Sequence, residues 1–161
     1  SGALVLDMCS VKVMPTSIMK RVLPKNVEII GMHPLFGPQS GKDGIEGLTL
    51  VVCPIRTKRL NKVISFLKTL NLNILQITPE QHDKAMAENE IIVHIIGKLL
   101  NNLNVKENEI STPAWSKLFD IKKIFEEDTE QLFLDIQRNN PYAKKTRENL
   151  KEEFNNLISL V

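Results

Sequence analysis

The chain of 161 residues is short of most features that classify a protein quickly. Its only cysteines, Cys9 and Cys53, are far apart and in no CxxC pair. A disulfide framework or a zinc ribbon is therefore excluded as the organising device, and reduced thiols are expected. No charge of one sign dominates: 21 basic against 19 acidic residues leave +2. That balance offers no basis for nucleic acid or an anionic membrane as partner. No apolar run reaches the length of about 18 residues that marks a membrane span, and no secretory leader is recognisable. A cytoplasmic, reducing setting is the expectation. The histidines, His33, His82 and His94, form no i,i+4 pair of the kind that holds zinc, so no metal site is expected. The seven glycines make no GxGxxG turn, the device that cradles a dinucleotide pyrophosphate after the first strand of a Rossmann unit. No internal repeat and no low-complexity tract occur.

What is present reads as two halves. With 42% hydrophobic and 25% charged residues the composition is that of a globular protein. Up to Thr78, apolar runs alternate with helical patterns. Strands are expected at "ALVLD" (Ala3–Asp7), "VEIIG" (Val27–Gly31), "LTLVVC" (Leu48–Cys53) and "NILQI" (Asn73–Ile77). Between them lie helices at Pro15–Leu23 and Thr57–Asn71, the second with Leu60, Val63, Ile64, Leu67 and Leu70 on one stripe. Such alternation predicts an α/β layer with substantial parallel pairing. After Thr78 the strands stop. "TPEQ" reads as a capping box, with Thr78 as N-cap, Pro79 at the first helical position and Gln81 reaching back. One helix is expected from there to about Asn104, and three more near 114–125, 129–139 and 142–160. The stretch "IIVHIIGKLLNNL" is apolar nearly all round, so it needs cover on most sides, and a partner subunit is an expected source. The expected domains are 1–78, α/β, and 79–161, all helical. The first strand opens the sequence with nothing before it, as in a piece of a longer chain.

Two polar clusters fall after strands, where ligands of open α/β sheets bind. "DMCSVK" puts Ser10 and Lys12 in a βα loop, and "GMHPLFGPQSGKDG" follows the second strand. Pro34 biases His33 toward an extended conformation and so holds its imidazole at the strand exit. Gly37, Pro38 and Gly41 make a turn whose backbone can approach a ligand closely. A histidine there can take a hydroxyl proton near neutral pH. The residues alone leave the plainer alternatives open: a loop histidine bonded to a carbonyl, a solvated Lys12, a turn serine.

The segments "VLDMCSVK", "GMHPLFGPQSGKDG" and "ITPEQHDKAMAENEIIVH" resemble, in order, those of the prephenate and arogenate dehydrogenases of tyrosine biosynthesis. The resemblance extends along essentially the whole chain and is nearest to the plant-like, arogenate-type branch. It implies the C-terminal part of a Rossmann-like nucleotide-binding domain followed by a helical dimerisation domain. It also implies oxidative decarboxylation of arogenate or prephenate with NAD or NADP as hydride acceptor. His33 then matches the histidine that assists removal of the hydroxyl proton, and Ser10 the serine that orients it. His94 matches a histidine lining the substrate site, with Glu90 one turn before it as a pairing partner. Ser10, Lys12, Pro34 and Gly37 become the cofactor-side residues, and His82 is read as structural. Two departures stand out. Gln39 occupies a place that is acidic in many members. Where members of the prephenate-specific branch carry an arginine for the substrate's side-chain carboxylate, the stretch "WSKLFDIKKIFEED" offers only Lys122 and Lys123, and lysine lacks the bidentate fork. This tilts the expectation toward arogenate. Without GxGxxG, the adenosine and pyrophosphate half of the cofactor site is missing from these residues, and the expected chain is inactive alone. The alternative is a non-catalytic dimerisation module.

Overall fold

A computed structural model describes residues 2–38, 40–126 and 128–161. The chain divides into two compact units, the first reaching to Lys84 and the second running from Ala85 to Val161. The first contains a four-stranded sheet in the order β1-β2-β3-β4: β1 (Leu4–Asp7), β2 (Glu28–Pro34), β3 (Thr49–Arg56) and β4 (Asn73–Gln76). β1 pairs with β2 in parallel, β3 with β4 in parallel, and β2 with β3 antiparallel. The α/β expectation holds, with one change of direction. The loop after His33 is not a βα crossover but returns the chain antiparallel, so that His33 pairs with Val51 and Pro34 with Leu50. β2 also runs three residues past the expected end at Gly31, because the extended bias on His33 keeps the ladder going.

The two faces of the sheet differ in chemistry. Ile30 and Met32 of β2 and Leu50 and Val52 of β3 point to one side, where they join Leu67 and Leu72 in a buried cluster. Helix α2 (Leu60–Lys68) covers that side with Leu60, Val63, Ile64 and Leu67. It stops earlier than expected, so Leu70 lies beyond the helix and is exposed, and Asn71 takes a left-handed φ of 54°. The alternate residues Gly31 and His33 face the other way, toward α1 (Val13–Val22) and the start of α3 (Pro79–Glu88). The capping box forms as read: Gln81 N donates to Thr78 Oγ1 at 3.2 Å and Thr78 N to Gln81 Oε1 at 2.9 Å.

The second unit is helical: α4 (Glu90–Asn102), α5 (Pro113–Ile124), α6 (Glu130–Asn139) and α7 (Ala143–Ile158). The single long helix expected after Thr78 is two, α3 and α4, broken at Asn89. Neither proline nor glycine marks that break, so the pattern gave no sign of it. Ile91, His94, Gly97 and Leu100 are the buried face of α4. Ala87, Ile91, Ile136 and Ala143 form its buried apolar cluster.

Candidate active site

The polar face of the first unit is built around Asp83. Helix α1 begins after Lys12 with no side-chain cap of its own. The Asp83 carboxylate supplies one from far along the chain. Lys12 N donates to its Oδ1 at 2.7 Å and Val13 N to its Oδ2 at 2.9 Å. A carboxylate on two first-turn amides satisfies both and complements the helix dipole. The same Oδ1 lies 2.7 Å from His82 Nδ1. His82, 1% exposed, in turn lies with Nε2 2.8 Å from Nδ1 of the half-buried His33, the rings meeting edge-on. A line of three side chains thus runs from α3 to the strand exit: Asp83, His82, His33.

Beneath it sits a second network. The Lys12 ammonium, fully buried, forms an ion pair with Asp7 Oδ2 and donates to Met32 O at 2.7 Å. Asp7 Oδ1 also accepts from Cys9 N at 2.9 Å. Gly31 leaves the room: a Cβ there would stand 3.0 Å from Thr16 Cγ2 and 3.2 Å from Asp7 Oδ2. Lys12 is therefore neither the solvated lysine that the residues alone suggest nor a side chain presented to a cofactor. Its charge is spent inside, because a buried ammonium needs a counter-charge and carbonyl partners. Nearby, burial pushes the Cys53 thiol up to about 12 and raises Cys9 as well, so neither is poised as a thiolate nucleophile.

Ser10 is half-buried in the β1–α1 loop, and the pairing of Asp7 with Gly31 puts that loop at the same sheet edge as His33. Pro34 ends β2, and Gly37 opens an exposed turn closed by Gly41 N on Gly37 O at 3.0 Å, with open space where a Gly37 side chain would stand. Gln39 lies outside the described residues. In the second unit, His94 Nε2 is 2.8 Å from Glu90 Oε1, the i,i+4 pair expected from the sequence, and its ring packs on Phe125 at 4.4 Å. A small cleft there is lined by His94, Lys98, Phe125, Asp128 and Phe133. Lys122 pairs with Glu126, and Lys123 lies 3.5 Å from Glu107 with its ammonium 4.9 Å from the Phe119 ring centre. Each lysine already has a carboxylate partner. Among the described residues no group of three His, Cys, Asp or Glu side chains converges as a metal site.

His82 is the functional candidate that sequence reading passed over. As the opener of a capped helix it looked structural. The signal was the adjacent acid in "QHD": a helix start that carries His-Asp holds a histidine whose ring is oriented from next door.

An α/β unit of the nucleotide-binding kind, with an oriented histidine at its strand ends, is followed by a helical unit. Residues 1–76 match the family described as prephenate dehydrogenase, nucleotide-binding domain, and residues 99–160 match that described as TYRAAT1-like, C-terminal domain. Arogenate dehydrogenase 2, chloroplastic, of Arabidopsis thaliana is 28% identical over 95% of this chain and 45% of its own length. Arogenate dehydrogenase 1, chloroplastic, of the same plant is 27% identical over 97% of this chain and 26% of its own. The crystal structure of prephenate dehydrogenase from A. aeolicus in complex with hydroxyphenyl propionate and NAD+ superposes with a TM-score of 0.72. It is 23% identical, covering 98% of this chain and 59% of that one, a likeness of fold. The first 76 residues are thus similar to the nucleotide-binding domain of prephenate dehydrogenases, and the chain spans less than half of the curated relatives it matches.

Proposed function

We propose that the protein carrying this chain oxidises and decarboxylates arogenate or prephenate in tyrosine biosynthesis. The observation that carries the reading is His33 at the strand exit, with Nδ1 2.8 Å from the buried His82. Nicotinamide, when bound, accepts the hydride from the ring carbon that bears the hydroxyl. The residues fit such a group in part: the β2–β3 turn leaves open space at Gly37, with Pro34 beside it, while Lys12 is engaged elsewhere. His33 takes the hydroxyl proton, and Ser10 at the same edge orients the hydroxyl and His33. The ring carboxylate leaves as carbon dioxide and the ring becomes aromatic. His94 contributes to the substrate side.

Of the two substrates, arogenate is favoured. Both substrates carry a side-chain carboxylate, but arogenate adds an amine, and Lys122 and Lys123, paired with Glu126 and Glu107, supply no bidentate fork of the arginine kind for the 2-oxo acid side chain of prephenate. A kcat/KM for prephenate at least tenfold above that for arogenate would reverse the preference. NAD and NADP both fit the reading. A homodimer through the helical unit is part of it, since Phe154, Leu157 and Ile158 of α7 are more than half exposed. Sedimentation equilibrium should show dimer at micromolar concentration; monomer alone would remove that part. A reducing compartment suits the two free thiols, and among the described residues no helix is long and apolar enough to cross a membrane.

The test of the function is His33→Asn in the full-length protein. Substrate affinity and fold should stay close to normal while kcat falls about 10²-fold or more. An unchanged kcat removes His33 from the reaction.

A further inference from the structure

We propose that Asp83 and His82 are positioning residues that fix which nitrogen of His33 is the base, an inference that rests on the function just proposed. The argument is one of donors and acceptors. The Asp83 carboxylate already receives two backbone amides, from Lys12 and Val13, and an ionised carboxylate can only accept. His82 Nδ1, 2.7 Å away, must therefore carry the proton in that contact. In the neutral ring His82 Nε2 is then the acceptor, and the group 2.8 Å from it, His33 Nδ1, is the donor. The lone pair of His33 is thereby assigned to Nε2. A carboxylate held on amides of α1 sets a tautomer two rings away.

The arrangement also meets the charge that the reaction makes. The substrate O–H bond breaks and an N–H bond forms at His33 Nε2, leaving an imidazolium whose Nδ1–H already points at His82. Its positive charge faces a line ending in Asp83, in which the His82 ring and the Asp83 carboxylate are buried. Other charged groups are packed about the line: the Asp7–Lys12 pair from β1 and α1, with the ammonium on Met32 O next to His33. Cys53 of β3 and Glu80 of α3 are also close enough to interact electrostatically with this cluster. Asp7 and Lys12 offset one another, and among the described residues the Asp83 carboxylate is bonded directly to His82.

The test is the pH dependence of kcat/KM for the full-length protein with arogenate and nicotinamide dinucleotide. Asp83→Asn, His82→Gln and His33→Asn are compared with the parent. Asp83→Asn lets an amide N–H face His82 Nδ1, which invites the wrong tautomer down the line. Its kcat should fall about 10²-fold with KM changed little. The acid limb of kcat/KM should move to lower pH, because an imidazolium without the carboxylate gives up its proton more readily. His82→Gln keeps an acceptor near the place of Nε2 but cannot relay the charge, and should show the same direction of shift with a smaller loss. It decides the matter if Asp83→Asn fails to fold. A lowered kcat with an unmoved acid limb in both folded variants would make the pair merely structural and overturn the inference. So would an unchanged kcat in Asp83→Asn. Failure of the function itself is told apart by His33→Asn: if that variant keeps full kcat, the reaction does not pass through His33 at all.

Discussion

Glu28 gathers four donors at the far end of β2 from His33: Thr57 Oγ1 at 2.6 Å, Lys58 N at 2.7 Å, Arg59 N at 3.1 Å and Arg59 Nε at 2.8 Å. Led by the Thr57 hydroxyl, these hold its carboxyl down at about 2, against an ordinary value of 4.5. A depressed carboxylate contributes stability above its unfolded pKa and loses it as pH falls through the folded one. Thermal stability should therefore drop between about pH 4.5 and 2. Glu28→Gln should flatten that part of the curve, as melts across the range would read. Lys12 argues in the opposite sense, through burial. Lys12→Met leaves Asp7 buried without its counter-charge and should cost about 3–5 kcal/mol in urea unfolding. Adding Asp7→Asn should restore much of it. The sequence marked His33 and Ser10 by their places after strands. It could not mark Lys12 as interior, because a lysine reads as solvated until its partners, Asp7 and a carbonyl of β2, are brought around it. His82 was hidden for a similar reason: its partner on the far side, His33, is a long-range neighbour.

At the scale of elements, local chemistry was legible and long-range direction was not. The capping box, the α2 stripe and all four strands follow from spacing and propensity. The antiparallel return from β2 to β3 depends on how the loop after His33 closes, and no periodicity encodes that. Gly97 on α4 belongs to the same class. Nothing in its apolar surroundings explains a glycine inside a helix, where it costs about 1 kcal/mol relative to alanine. The structure does: a Cβ would stand 2.5 Å from Phe125 Cδ2, and that ring packs on His94. Gly97→Ala should thus destabilise the second unit despite its better helix propensity, by about 1–3 kcal/mol. A chemical melt measures it, and a gain in stability would mean that Phe125 yields without cost.

For the whole molecule, the two-part layout was readable from the point where strands give way to helices. The sequence placed the change after Thr78, at the N-cap of α3; the compact units part at Lys84, inside that helix. The difference has a cause: the first turn of α3 is fastened to the sheet unit by His82 and Asp83. Residues 1–161 lack GxGxxG, so calorimetric titration of this polypeptide with NAD should give no low-micromolar binding. Affinity of that order would mean that the loops at the sheet edge hold the dinucleotide unaided.

The cap that Asp83 places on Lys12 N joins residues 71 positions apart. A nascent chain emerging from the ribosome therefore exposes β1, α1 and His33 well before it delivers the carboxylate that completes them. Until α3 is out, the first turn of α1 must find its acceptors in water, and His33 has no fixed protonation pattern. Completion of the helix and arming of the histidine then coincide, so an intermediate stalled before residue 83 could carry most of the sheet and still be chemically inert.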